Sequence, residues 1–131
     1  MTILTEVQTA YGVLHDWLGE GGEPVDWRIA EHRASICATS GPGGSPCPMN
    51  VAPKWWEHAK EKAADYIREH LEVKHRSQIG TTKDSHLHMC RACGCCLPLK
   101  VHVPISHIIR HTSEETIARF PSNCWIPTEL K

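Results

Sequence analysis

Cys90-Arg91-Ala92-Cys93-Gly94-Cys95-Cys96 packs four thiols into seven residues, and its reading decides what kind of fold this chain can have. Two thiolates three positions apart on a tight turn can face one metal. A glycine straight after them lets the chain turn beneath the sulfurs and aim its N–H groups at them. This knuckle supplies two ligands, Cys90 and Cys93, and a closed tetrahedral site needs four. The remaining candidates are Cys95, two residues on, and the distant Cys37, Cys47 and Cys124. Pairing Cys37 and Cys47 with Cys90 and Cys93 gives a ribbon-like solution, strained by nine intervening residues where a second knuckle would have two to four. Cys47, Cys90, Cys93 or Cys95, and Cys124 form a second solution. Cys96, pointing away from Cys95 in any extended geometry, is expected to be a free buried thiol.

Zinc and a [4Fe–4S] cluster both accept four thiolates. Zinc is placed first, because nothing else in the chain suggests electron transfer. The dense cysteine spacing and the Cys47-Pro48 step keep the cluster in view. A mixed site is a further option, since His86, His88 and Cys90 alternate and would share one side of an extended strand. His58, His70, His75, His107 and His111 read as helix-surface residues.

The surroundings read as mainly α with an irregular cysteine-rich metal-binding region; a small α+β arrangement is the alternative. With 131 residues, one domain over 1–131 is expected. It comprises N-terminal helices over 1–38, a loop with Cys47 over 39–50, a long helix over 51–76 and the cysteine-rich region over 86–131. Val7, Ala10, Tyr11, Leu14, Trp17 and Leu18 mark a first amphipathic helix over 5–18. Asp26 is a good N-cap for a second, with Trp27, Ile29, Ala30, Arg33 and Ile36 on its course. The Gly/Pro/Ser stretch 40–46 has no apolar residue to pack and reads as an insertion between two cysteines that end up close together. Pro53 suits the first turn of a third helix, 54–75, whose stripe is Trp56, Ala59, Ala63, Ile67 and Leu71. Trp55 and Trp56 are adjacent on that helix and cannot both face one core, so Trp55 is the candidate anchor for a partner. Leu97 to Pro104 alternates like a short edge strand, limited by its two prolines. Ile105, Ile108 and Ile109 suggest a helical turn, and Ser113 with Glu114 and Glu115 opens a short helix that Pro121 stops.

Fourteen Lys and Arg against fifteen Asp and Glu give a net charge of −1, so no nucleic-acid or membrane partner is expected. The residues Met1-Thr2-Ile3-Leu4-Thr5-Glu6 have neither a basic nor an apolar leader region, which predicts synthesis in a cytoplasm. In a reducing compartment clustered cysteines bind metal more often than they form bridges. Catalytic signatures are absent: there is no His-Glu-x-x-His, no Gly-x-Ser-x-Gly and no Walker loop. Met89 stands where a zinc deaminase has proline, and His70-Leu71-Glu72 is an isolated match to the His-x-Glu half of that pattern. The chain is therefore expected not to be an enzyme.

Taken together, Arg33-x-x-Ile36-Cys37, Cys47-Pro48-x-Asn50, Cys90-x-x-Cys93-Gly94-Cys95, Leu97-x-Leu99-Lys100-Val101-His102-x-Pro104, Ile108-x-x-His111-Thr112-Ser113 and Cys124-Trp125 resemble a group of small, cysteine-rich phage-encoded proteins of unknown function. The resemblance covers 33–125 and departs at 40–46, which separates cysteines that the pattern holds closer. It implies a virion component of the tail or baseplate, made in the host cytoplasm, with other virion structural proteins as partners. The expected function is thus a non-enzymatic structural protein stabilised by a cysteine-ligated metal centre. The alternatives are an iron–sulfur redox or regulatory protein and a zinc module that binds nucleic acid or a host protein.

Overall fold

The structure, a computed structural model, describes residues 12–71 and 73–130. It is mainly helical, and the two strands it has are short. Helix α1 covers 12–19 of the described residues and turns Val13 and Trp17, one turn apart, into the core, with Leu14 and Leu18 half-buried beside them. The earlier part of the expected helix, including Val7, Ala10 and Tyr11, lies outside the described residues.

Helix α2, Trp27–Thr39, starts where Asp26 accepts the Arg28 backbone N–H at 2.8 Å. Its buried face is Ala30, Arg33, Ala34, Cys37 and Ala38. Trp27 and Ile29 are exposed. Small residues on the inner face let the helix approach the cysteine region closely, and Arg33 takes the space that a large apolar residue would fill. Its guanidinium grips Glu129 through two hydrogen bonds of 2.9 and 2.7 Å, donates to the carbonyls of Val101 and Val103, and lies 4.3 Å over the Trp125 ring. One side chain thus ties α2 to two later segments.

Helix α3, Trp56–His70, is shorter than the 54–75 predicted. Leu71 leaves the helical conformation with an extended backbone and buries its side chain, and α4, Val73–Arg76, follows. Leu71 packs on Gly22, whose φ is +68° and where a Cβ would lie 2.5 Å from a Leu71 methyl carbon. Only glycine allows that approach.

Strand β1, Asn50–Val51, pairs antiparallel with β2, Met89–Cys90, joining the Cys47 loop to the knuckle. The expected edge strand at 97–104 is helix α5, Leu97–Lys100, followed by turns. Pro98 falls in its first turn, where no N–H is needed. The alternation misled because Lys100 and His102 are as buried as Leu97, Leu99, Val101 and Val103, so the segment has no solvent face. Helices α6, Ile105–Arg110, and α7, Glu114–Arg119, match the readings there, with Ser113 accepting the Thr116 backbone N–H. Helix α8, Trp125–Glu129, was not anticipated. One apolar cluster runs from α1 through Leu71 and the knuckle to α5, α6 and α8.

His102 is fully buried, and its Nε2 accepts the Gly80 N–H at 2.9 Å. Burial, with the nearby Arg33 charge, lowers its pKa against the opposing pull of Asp84 and Glu31. The folded chain therefore holds this ring neutral, while the unfolded chain takes up a proton below about pH 6.5. His102 contributes stability that is complete above about pH 6.5 and is lost as the pH falls below it, with a slope of at most about 1.4 kcal/mol per pH unit. Urea titrations between pH 7.5 and 5.5 should show a shallower pH dependence for His102→Gln than for the wild type; equal slopes would assign the effect to other groups.

Candidate metal centre

Six of the seven cysteines, Cys37, Cys47, Cys90, Cys93, Cys95 and Cys124, are buried, and all six belong to the region between α2, β1, the knuckle and α8. Local chemistry brings them there. The 40–46 stretch folds back on itself through a 3-10 turn, Pro42–Gly44, and the Cys47 N–H donates to the Cys37 carbonyl at 2.9 Å. Nine intervening residues therefore do not separate these two cysteines in space. In the knuckle the Cys90 N–H donates to the Cys95 carbonyl at 2.9 Å and the Gly94 N–H to the Cys90 carbonyl at 2.6 Å. Gly94 has a φ of +77°, the left-handed geometry that the turn demands. Cys124 sits at the N-cap of α8, just beyond the turn that Pro121 opens.

Asn50 fastens these pieces together. Its Nδ2 donates to the carbonyls of Cys37 at 3.0 Å and His86 at 2.8 Å, and its Oδ1 accepts the His88 N–H at 2.9 Å. The Asn50 spacing from Cys47 was visible in the sequence, but its role as a three-way clamp was not.

Cys37, Cys47, Cys90 and Cys124, from four separate segments, line one cavity of about 20 Å³, walled otherwise by apolar side chains, Asn50 and Lys100. Cys93 and Cys95 lie beside it, next to Cys90. Lys100, 2 % exposed, places its Nζ 2.7 Å from the Cys93 Sγ and 4.9 Å from the centre of the Phe120 ring. The electrostatics follow from this contact. Burial opposes ionisation of Cys93, but hydrogen bonds from Cys90 and Cys95 and the Lys100 ammonium outweigh it and hold that thiol well below its ordinary pKa. Cys90 and Cys95 are pushed up, by donating to Cys93 and by burial. Burial pushes Cys37 up to about 12, although the Trp125 indole N–H donates to its sulfur at 3.4 Å, and it raises Cys124 too. Cys93 is thus the thiol of the group that ionises most readily.

Cys96 is half-buried, apart from the cavity, in the wall of a groove of about 400 Å³ shared with Trp56, His88 and Leu99. Burial lifts its pKa to about 11. The histidines of the mixed option are directed elsewhere: His86 is exposed, and His88 packs edge-on against Trp56 at 5.5 Å. His107, expected on a helix surface, is buried and bonded to Asp16. Asp16, Glu20 and His107 are the one set of three or more His, Cys, Asp or Glu groups, among the described residues, whose ligand atoms all lie within 4.8 Å of one another. Arg110 already bonds both carboxylates, so this set is an ion-pair network. Trp55, the N-cap of α3, is 54 % exposed while Trp56 is buried. No helix among the described residues is long and apolar enough to cross a membrane.

No protein-family model, curated protein or solved structure matches the chain.

The Asn50 clamp generates a direct test. Asn50→Asp keeps the shape and the bond to the His88 N–H but turns a carboxylate oxygen toward two carbonyls. Chemical denaturation should show a loss of at least about 2 kcal/mol, since buried groups left without partners cost about 1–3 kcal/mol each. A variant as stable as the wild type would reduce the clamp to an incidental contact.

Proposed function

We propose that this chain is a non-enzymatic structural protein folded around one thiolate-ligated metal centre. The observation that supports it is the convergence of Cys37, Cys47, Cys90 and Cys124 on one buried cavity, with Cys93 and Cys95 alongside. Soft, all-sulfur donor sets suit zinc and iron–sulfur clusters. Metal ligands must be deprotonated, and thiols whose pKa burial has raised become ligands only when metal displaces their protons. A cavity of about 20 Å³ offers no room for an organic substrate, for which pockets run to about 300–1,000 Å³. That supports a metal that holds segments together over one that reacts.

Zinc remains the first reading from the short knuckle. A specific observation favours the cluster as the second. A tetrahedral zinc with Zn–S bonds near 2.3 Å needs sulfurs about 3.8 Å apart. Among the described residues, no three thiols lie all within 4.8 Å of one another. A four-iron cluster holds its thiolates farther apart, although it is bulkier than an ion and the cavity of about 20 Å³ would have to widen to take it.

The resemblance to phage-encoded cysteine-rich proteins extends the proposal to a virion component of the tail or baseplate, made in the host cytoplasm. Exposed Trp55 is then the natural anchor for a neighbouring virion protein.

Metal analysis of anaerobically purified protein tests the centre. The wild type should carry metal. Serine variants at Cys90 and Cys93, and at two of Cys37, Cys47, Cys95 and Cys124, should lose it together with most of their stability, because a structural zinc contributes about 10–16 kcal/mol and a typical domain's net stability is about 5–15 kcal/mol. Cys96→Ser should keep it. Absorbance near 400 nm would identify a cluster, and a colourless protein with stoichiometric zinc the ion; metal-free wild type would end the proposal. For the virion assignment, antibody against the chain should label purified particles, and its absence from them would remove that part alone.

A further inference from the structure

The most unusual group in the molecule is one that the metal-ligand argument does not use. Lys100 is 2 % exposed, and lysine is almost never buried without a partner. Among the described residues its ammonium has no carboxylate. Its partners are the Cys93 sulfur at 2.7 Å and the face of Phe120 at 4.9 Å. It also forms part of the wall of the cavity that Cys37, Cys47, Cys90 and Cys124 line.

Resting on the metal-centre reading above, we propose that Lys100 is the built-in counter-charge of that centre and an N–H···S donor to it, so that the fold selects an anionic, all-thiolate site. The charge balance is simple. A dication with four thiolates carries two net negative charges, and a lysine beside it halves them. Each neutral histidine that replaces a thiolate removes one negative charge, and with two the buried ammonium would stand unmatched. The histidines agree with this: His88 packs on Trp56, and His102 is bonded to Gly80. Lys100, on α5, is buried, so its ammonium meets the Cys93 sulfur away from water, where its field is least screened. Lys100 is therefore a positioning and charge-balancing residue, distinct from the ligands.

The test compares wild type, Lys100→Met and Lys100→Arg, each purified anaerobically as the full chain. The first readout is metal retained per chain against a graded chelator. The second is the thiolate-to-metal charge-transfer absorption, read on native iron or, for a zinc centre, after cobalt(II) replacement. Lys100→Met should give up its metal at a chelator concentration at least tenfold lower than the wild type. Its charge-transfer band should move to longer wavelength, because a sulfur that loses an N–H donor gives up electron density more readily. Lys100→Arg, which keeps the charge and the donors, should stay within about threefold in retention and keep the wild-type band. Metal retention and spectrum in Lys100→Met equal to the wild type would overturn the inference while leaving the metal centre standing. Equal losses in both variants with no spectral shift would also overturn it, by assigning Lys100 a packing role. A wild type without metal would instead defeat the reading on which the inference rests.

Discussion

A lysine ammonium buried against a cysteine sulfur is the constraint on which the rest of this structure depends. Removing such an ion from water costs several kcal/mol even after the protein relaxes around it. The cost is offset only if negative charge is supplied in the same dry space. Cys93, the thiol of the group that ionises most readily, lies against the ammonium. A sulfur and an ammonium in contact form a polar centre inside an otherwise apolar cluster. The chain must therefore bring the knuckle and α5 together in one register, and the segments that carry Cys37, Cys47 and Cys124 close over them.

Those closures rely on polar ties more than on apolar bulk. Asn50 holds three backbone groups, Arg33 holds two carbonyls and a carboxylate, and the Trp125 indole donates to Cys37. Each tie is directional and satisfied at both ends, so each specifies a geometry that interchangeable apolar contacts would leave loose. This suits a chain whose core contains one phenylalanine and many cysteines, alanines and valines. Small residues allow close approach, and the polar ties decide which approach is made.

What the sequence made legible is what local rules govern. Asp26 and Ser113 announced their helices because a side-chain oxygen beside a free N–H is a local event. The Trp55 and Trp56 pair declared one exposed ring by helix periodicity alone. The spacing of Cys90 and Cys93 with Gly94 predicted the turn that forms. The misses share one physical cause, the burial of polar residues. Leu97 to Pro104 looked like an edge strand because Lys100 and His102 were assumed to face water. Arg33 looked like one position among several on α2, although its guanidinium is a hub. His107 looked like a surface residue, although Asp16 receives it. Burial of a charge is decided by partners distant in the chain, and no pattern of period 2 or 3.6 records them.

The same asymmetry bears on the centre itself. Six thiols drawn from four segments would form a serviceable apolar cluster on their own, since cysteine packs as a small hydrophobe. Such a cluster has no use for a buried ammonium. An apolar side chain of similar volume at position 100 would fill the space without the desolvation cost, and replacing buried ions in this way is often neutral or stabilising. The placement of Lys100 against Cys93 instead matches a site built to hold thiolate charge. Under the proposed metal centre, the cysteines would take on that charge by exchanging their protons for a metal.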